Sequence, residues 1–158
     1  INVSVKSESG KDLSDSFMAG ILEHITEMTV FLNPVKESYK RLGEKKAPKY
    51  VTWSHENRSQ LIRIPAVKNA ANKRIELRSP DPCANPYIAY ALIIYAGLDG
   101  IKRGLTPAAP LNVNLFTADG EVTDGLVSLP DTVEKAKSIA AHSEFIKGAL
   151  PAGFTESI

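Results

Sequence analysis

Apolar and polar residues alternate from Ile1 to Val5, and that period of two predicts a short strand. A polar, Gly-containing loop follows over Ser7–Asp12. Phe17, Ile21, Ile25, Met28 and Leu32 then recur at helical spacing, so a helix capped by Ser14 or Asp15 runs to about Phe31. Asn33-Pro34 ends it, because proline disfavours helical geometry in the residue before it. Val35–Leu42 has room for one or two helical turns, and Gly43–Pro48 reads as a charged loop. From Tyr50 to Arg78 the period returns to two. Ile62 and Ile64 share one parity with Arg63 between them; Ile75 and Leu77 share one, and Arg74, Glu76 and Arg78 the other. Those three charged side chains therefore line one strand face about 7 Å apart, with an apolar face behind them.

Pro80-Asp81-Pro82 makes a rigid corner. Asn85-Pro86 opens a helix over Tyr87 to about Arg103, with a capping residue and then proline at the first helical position. Its sequence is apolar almost all round, which predicts burial, and Gly104 stops it. Leu105–Leu129 reads as a long Pro/Gly/Asn-rich connection. Asp131, with Glu134 three residues on, predicts a capped helix, and Ser143 caps a shorter one. The class is α+β: an antiparallel sheet with packed helices.

Composition sharpens this picture through its distribution. The 158 residues hold 19 Lys+Arg and 18 Asp+Glu, a net charge of +1. Lys36–Arg78 alone holds 12 basic and 4 acidic residues, a local net of +8. Five of the six arginines fall there: Arg41, Arg58, Arg63, Arg74 and Arg78. Arginine in such density points to forked recognition of carboxylate or phosphate. Nucleic acid is not the expected partner, because these arginines alternate with core residues and stacking aromatics are few. The single cysteine excludes a disulfide framework and a Cys-rich zinc site, and fits a reducing, cytoplasmic compartment. Cys83 reads as a small packing residue and His24 as a core-edge residue. No apolar run reaches the roughly 18 residues that span a bilayer, so no membrane role is expected. Ile1 is not a start methionine, and the chain is expected to be cut from something longer.

The candidate chemistry is anion and metal handling. Arg74-Ile75-Glu76-Leu77-Arg78 reads first as the wet face of an ordinary amphipathic strand, and alternatively as the floor of a metal–anion site. In the second case Glu76 binds a hard cation through oxygen. Arg58 and Arg63 are five apart, so a regular strand points them to opposite faces, and a turn is needed to bring both to one ligand. No Ser-His or Cys-His nucleophile pattern and no Gly-rich phosphate loop is present.

Taken in order, these segments resemble the C-terminal catalytic region of glutamine synthetases. The resemblance lies in Asn33-Pro34, Ser38-Tyr39-Lys40-Arg41-Leu42, Ala47-Pro48, Asn57-Arg58-Ser59, Arg63-Ile64-Pro65, Arg74-Ile75-Glu76-Leu77-Arg78, Pro80 through Tyr87, and Ala96 through Ile101. It implies a partial catalytic domain over residues 1–158, with the N-terminal β-domain and the early catalytic segment absent. It further implies ATP, glutamate and ammonia as substrates, Mg²⁺ or Mn²⁺ as metals, and a homo-oligomeric ring with shared active sites. By the same resemblance Arg41 matches the arginine on the glutamate carboxylate, and Arg58 one between substrate and nucleotide phosphates. Arg63 and Arg74 match arginines on the ATP phosphates. Glu76 matches a metal ligand, Arg78 a glutamate or phosphoryl contact, and Asn2 and Ser4 a nucleotide-contacting segment.

Three positions depart from the family pattern. Lys46 stands where a flap glutamate usually precedes Ala-Pro. Ala71 replaces a lysine often found three before the Arg74 position. Phe116 aligns with the tyrosine that some bacterial members adenylylate, so that modification is not available there. The expected activity is therefore glutamate–ammonia ligation by the longer protein, with the isolated piece inactive. A γ-glutamyl-amine (polyamine) ligase and a non-catalytic structural homologue are the alternatives.

Overall fold

A computed structural model describes residues 1–44 and 47–156, with the side chains of Ala70, Thr155 and Glu156 left aside. In chain order its elements are β1 (Asn2–Val3), α1 (Ser14–Leu32), α2 (Lys36–Tyr39), β2 (Trp53–His55), β3 (Ile62–Ile64), β4 (Ile75–Leu77), α3 (Pro86–Arg103), α4 (Gly120–Thr123), α5 (Val133–His142), α6 (Glu144–Ala149) and α7 (Ala152–Glu156). The four strands form one sheet in the order β1-β4-β3-β2. One sheet face packs on α1 and α3. Ile62, Ile75, Leu77, the α1 stripe Phe17–Ile21–Ile25–Met28–Leu32, and Leu92 and Ile93 of α3 share that core.

The α+β class and the α1 stripe agree with the sequence reading, but the sheet is mixed rather than antiparallel. β4 pairs antiparallel with both β1 and β3, whereas β2 and β3 run parallel. A parallel connection normally needs a dozen or more residues. Here strands of only three residues let the 56–61 loop return the chain. Glu56 starts the reversal at φ 65°, the one positive φ outside glycine among the described residues.

Caps moved by a residue or two. No side chain of Ser14 or Asp15 caps α1; Asp12 Oδ1 instead accepts from the Ser14 N–H at 2.9 Å. On α5 the cap is Thr132, whose hydroxyl accepts from the Lys135 N–H, while Asp131 pairs with the Lys135 ammonium at 2.8 Å. Asn85, Gly104 and Ser143 cap as the sequence predicts.

The expectation that α3 is buried all round is overturned. Ala89, Leu92, Ile93, Ala96, Gly97 and Gly100 face α1 and the core. Tyr87 is 85% exposed, and Tyr90, Ile94, Tyr95 and Leu98 are each 51% exposed. A helix packed on one side only leaves its other stripe to solvent, and composition cannot say which side lacks a neighbour. Cys83, expected to be packed, is exposed just beyond the Pro80-Asp81-Pro82 corner. His24 does lie at the core edge. Its ring stacks on Phe145 with centroids 4.0 Å apart, and its nitrogens meet Glu27 and Asp99 at 2.6 and 2.9 Å. Those contacts tie α1 to α3 and α6. Among the described residues no helix is long and apolar enough to cross a membrane.

The α1–α3 contact is close because glycines face each other. A Cβ on Gly100 would run into the Ser16 carbonyl oxygen and the Gly20 backbone, and neither can swing away. Gly100→Ala should therefore cost about 1–3 kcal/mol through overpacking. Urea denaturation checks this; an unchanged midpoint would show that the two helices can part freely.

Candidate functional site

The wet face of the sheet gathers the charged residues. Register places Arg63 directly opposite Glu76 across the antiparallel β3/β4 pair. Arg63 Nη2 donates to Glu76 Oε2 at 2.5 Å, and Arg78 Nε donates to Oε1 at 3.2 Å. One carboxylate thus lies between two guanidiniums on a surface only partly open to solvent. Burial by itself would raise the Glu76 pKa, but hydrogen bonds and charge from Arg63, and then Arg78, hold it below its ordinary value. The Arg78 pKa is lowered by burial, with Glu76 opposing and the neighbouring Arg63 and Arg58 charges adding to the fall. Arg63 and Arg78 therefore share the Glu76 carboxylate, with the Arg58 charge close enough to act on Arg78. Arg63 Nε adds a buried donor with no hydrogen-bond partner among the described residues.

Arg58 reaches this group because of the 56–61 loop, the turn its five-residue spacing from Arg63 required. The loop is anchored to a distant segment. The Val113 carbonyl accepts from Asn57 Nδ2 at 2.8 Å, Gln60 Nε2 at 2.9 Å and Ser59 Oγ at 3.3 Å. The Leu115 N–H returns a bond to Ser59 Oγ at 2.9 Å. Arg58 itself is exposed, between fixed neighbours on either side.

At the β1 edge, Asn2 also pairs in register with Glu76, and its Oδ1 accepts from Arg74 Nε at 3.2 Å. The Ser4 hydroxyl donates to the Lys73 carbonyl at 2.9 Å. Arg41 follows α2 and stands at the exit of β4. Its Nε donates to Asp81 Oδ2 at 3.4 Å and its Nη2 to Asn33 Oδ1 at 3.1 Å and to the Ser79 carbonyl. Burial pulls the Asp81 pKa upward, but the Cys83 N–H and the Arg41 charge leave it lowered.

The sheet and the 56–61 loop thus bring Arg58, Arg63, Glu76 and Arg78 near one another and set Asn2, Ser4 and Arg74 along one edge, while Arg41 bonds the carbonyl of Ser79, the residue after Arg78. Lys46 lies outside the described residues. Sequence reading missed the partners that hold these groups. Asn33 and Asp81 had been read only as a helix stop and a corner; their signal was an Asx residue beside proline. The Val113 contacts had no signal, because they join residues more than fifty apart.

A hard cation takes six or more oxygen ligands. Among the described residues no group of three or more His, Cys, Asp or Glu could hold one. Glu76 fits as one oxygen ligand of such a site and not as the whole of it.

Comparison with known proteins identifies the family of this fold. The family profile described as the glutamine synthetase catalytic domain matches residues 3–158. A glutamine synthetase of Methanosarcina mazei is 48% identical over 137 residues, 85% of this chain and 30% of that protein. One from Clostridium saccharobutylicum is 42% identical over the same length, 31% of that protein. The chain therefore spans less than a third of these relatives. Among solved structures, a GmaS–ADP complex superposes with a TM-score of 0.79 at 29% identity, over 98% of this chain and 37% of that one.

Glu76→Gln leaves two partly buried guanidiniums facing an amide, and should cost about 1–3 kcal/mol of stability. The native pKa of Glu76 lies below its ordinary 4.5, so its stabilisation is complete above that pH and is lost as pH falls through the lowered value. Denaturation across pH should show the variant with a shallower loss below pH 4.5. Parallel curves would contradict the pairing.

Proposed function

The chain belongs to the glutamine synthetase catalytic-domain family, and from that premise we propose that it forms part of an ATP-dependent glutamate–ammonia ligase. The observation that carries the reading is the cluster around Glu76: Arg63 and Arg78 share its carboxylate, the Arg58 charge lies near Arg78, and Arg63 Nε is a buried donor with no hydrogen-bond partner among the described residues. A phosphoryl group in transfer spreads negative charge over its oxygens, and catalysis consists mainly of neutralising and aligning it. A sheet face rich in fixed guanidiniums and poor in nucleophiles suits that task.

In the proposed reaction the side-chain carboxylate of glutamate attacks the γ-phosphorus of ATP and ADP leaves. Ammonia then attacks the acyl carbon, releasing inorganic phosphate and glutamine. Arg63 and Arg74 hold phosphate oxygens of the nucleotide. Arg58 stands between nucleotide and substrate, Arg78 contacts glutamate or the phosphoryl group, and Asn2 and Ser4 border the nucleotide. Arg41 holds the substrate carboxylate. Glu76 serves as one ligand of Mg²⁺ or Mn²⁺, which supplies charge neutralisation at the transferring phosphate. The ADP in the GmaS complex supports a nucleotide site on this scaffold.

Because the chain spans 30% of the Methanosarcina relative and no cluster of metal-ligating side chains stands beside Glu76 among the described residues, the 158 residues alone are proposed to be inactive. A second reading, ligation of glutamate to a larger amine, is favoured by Lys46, which stands where the family pattern has a glutamate.

The test is phosphate release by the full-length polypeptide with ATP, glutamate, Mg²⁺ and a panel of amines. Ammonia-dependent turnover is expected. Arg63→Ala should lower kcat/KM at least about tenfold, the value of one charge-assisted hydrogen bond. Preference for a polyamine would transfer the assignment to the second reading, and ATP binding without turnover on any amine would leave a non-catalytic homologue. Turnover by residues 1–158 alone would contradict the proposal of a partial site.

A further inference from the structure

We propose that Asn33 and Asp81 are positioning residues for Arg41, and that with the Ser79 carbonyl they leave its Nη1 amino group as the one end able to meet a substrate carboxylate. The inference rests on the reading of Arg41 as the arginine of the glutamate carboxylate.

A guanidinium has five N–H donors in one plane: one on Nε and two on each Nη. In this fold the Nε donor goes to Asp81 Oδ2. Both Nη2 donors are also spent, on Asn33 Oδ1 and on the Ser79 carbonyl. A two-point grip on a carboxylate uses two parallel N–H bonds from adjacent nitrogens, so it needs Nη2 paired with Nε or with Nη1. Neither pair is open. Arg41 therefore offers a one-nitrogen contact, and the second carboxylate oxygen is left to another donor. That is a different recognition geometry from the fork its residue type would lead one to expect.

The two holders are themselves fixed. Asn33 is fully buried at the C-terminal end of α1, with its Nδ2 3.5 Å from the Thr29 carbonyl and Pro34 next in the chain. Asp81 lies between Pro80 and Pro82. Its N–H donates to the Leu32 carbonyl at 2.8 Å, and its Oδ1 accepts from the Cys83 N–H at 2.7 Å. One guanidinium thus stitches the end of the long core helix to the corner that follows β4, and both set the direction of its Nη1 end, which has no hydrogen-bond partner among the described residues.

The experiment uses the full-length polypeptide and measures kcat, KM for glutamate and KM for ATP in Arg41→Ala, Asn33→Ala, Asp81→Ala and the conservative Asp81→Asn. Thermal melting of each variant accompanies the kinetics. Asn33→Ala and Asp81→Ala should each raise KM for glutamate about tenfold. KM for ATP should stay within about twofold, and Asp81→Asn should recover part of the loss. Adding Asp81→Ala to Arg41→Ala should give no further rise, because the two act as a unit. If Arg41→Ala raises KM for glutamate while Asn33→Ala and Asp81→Ala do not, the positioning inference is wrong and the reading of Arg41 stands. If Arg41→Ala leaves KM for glutamate unchanged, that reading itself fails. A parallel rise of both KM values with a lowered melting temperature, or variants that do not fold while Asp81→Asn folds with wild-type kinetics, would reduce Asn33 and Asp81 to structural residues.

Discussion

The Glu76 carboxylate, held between Arg63 and Arg78, is the contact on which the sheet face depends. Isolated guanidiniums this close would repel one another on a surface only partly open to water, and burial already lowers the Arg78 pKa. One carboxylate placed by register opposite Arg63 lets them coexist. It also leaves the arrangement unfinished. Two guanidiniums share one carboxylate with the Arg58 charge nearby, and Arg63 keeps a buried donor with no hydrogen-bond partner among the described residues. A face that is stable and yet short of anions is prepared for an anionic ligand at little cost in reorganisation.

The supports of that face are drawn from distant parts of the chain. The 56–61 loop can carry Arg58 to Arg78 because Asn57, Ser59 and Gln60 all close on the Val113 carbonyl. Arg41 is oriented by the end of α1 and by the corner after β4. Behind them, α1 and α3 pack glycine to glycine and give the sheet a stiff backing. The exposed tyrosines and aliphatic residues of α3 belong to the same account. The chain spans 30% of the Methanosarcina relative, and most of this stripe stays about half open to solvent even with α6 beside Tyr95 and Leu98.

What was legible in the sequence was local. The α1 stripe, the Asn85-Pro86 start, the Gly104 stop and the parity of Arg74, Glu76 and Arg78 each follow from neighbours a few residues apart. The parallel pairing of β2 and β3 was not legible, because a short loop between short strands ordinarily signals a hairpin. The exposed side of α3 was hidden for another reason: an all-apolar helix reports that it could be buried, and only tertiary structure shows by what. Asn33 and Asp81 were visible as punctuation beside prolines. Their second use, as acceptors for Arg41, arises when residues 8 and 40 positions from it in the chain come together.

The proposed function requires that Glu76, paired with arginines in this structure, turn to a cation when nucleotide binds. A crystal structure of the full-length polypeptide with ADP and Mn²⁺ tests this most directly. The account predicts Glu76 among the metal ligands, with Arg63 and Arg58 turned to phosphate oxygens. Nucleotide bound elsewhere, with the Arg63–Glu76–Arg78 contacts intact, would contradict it.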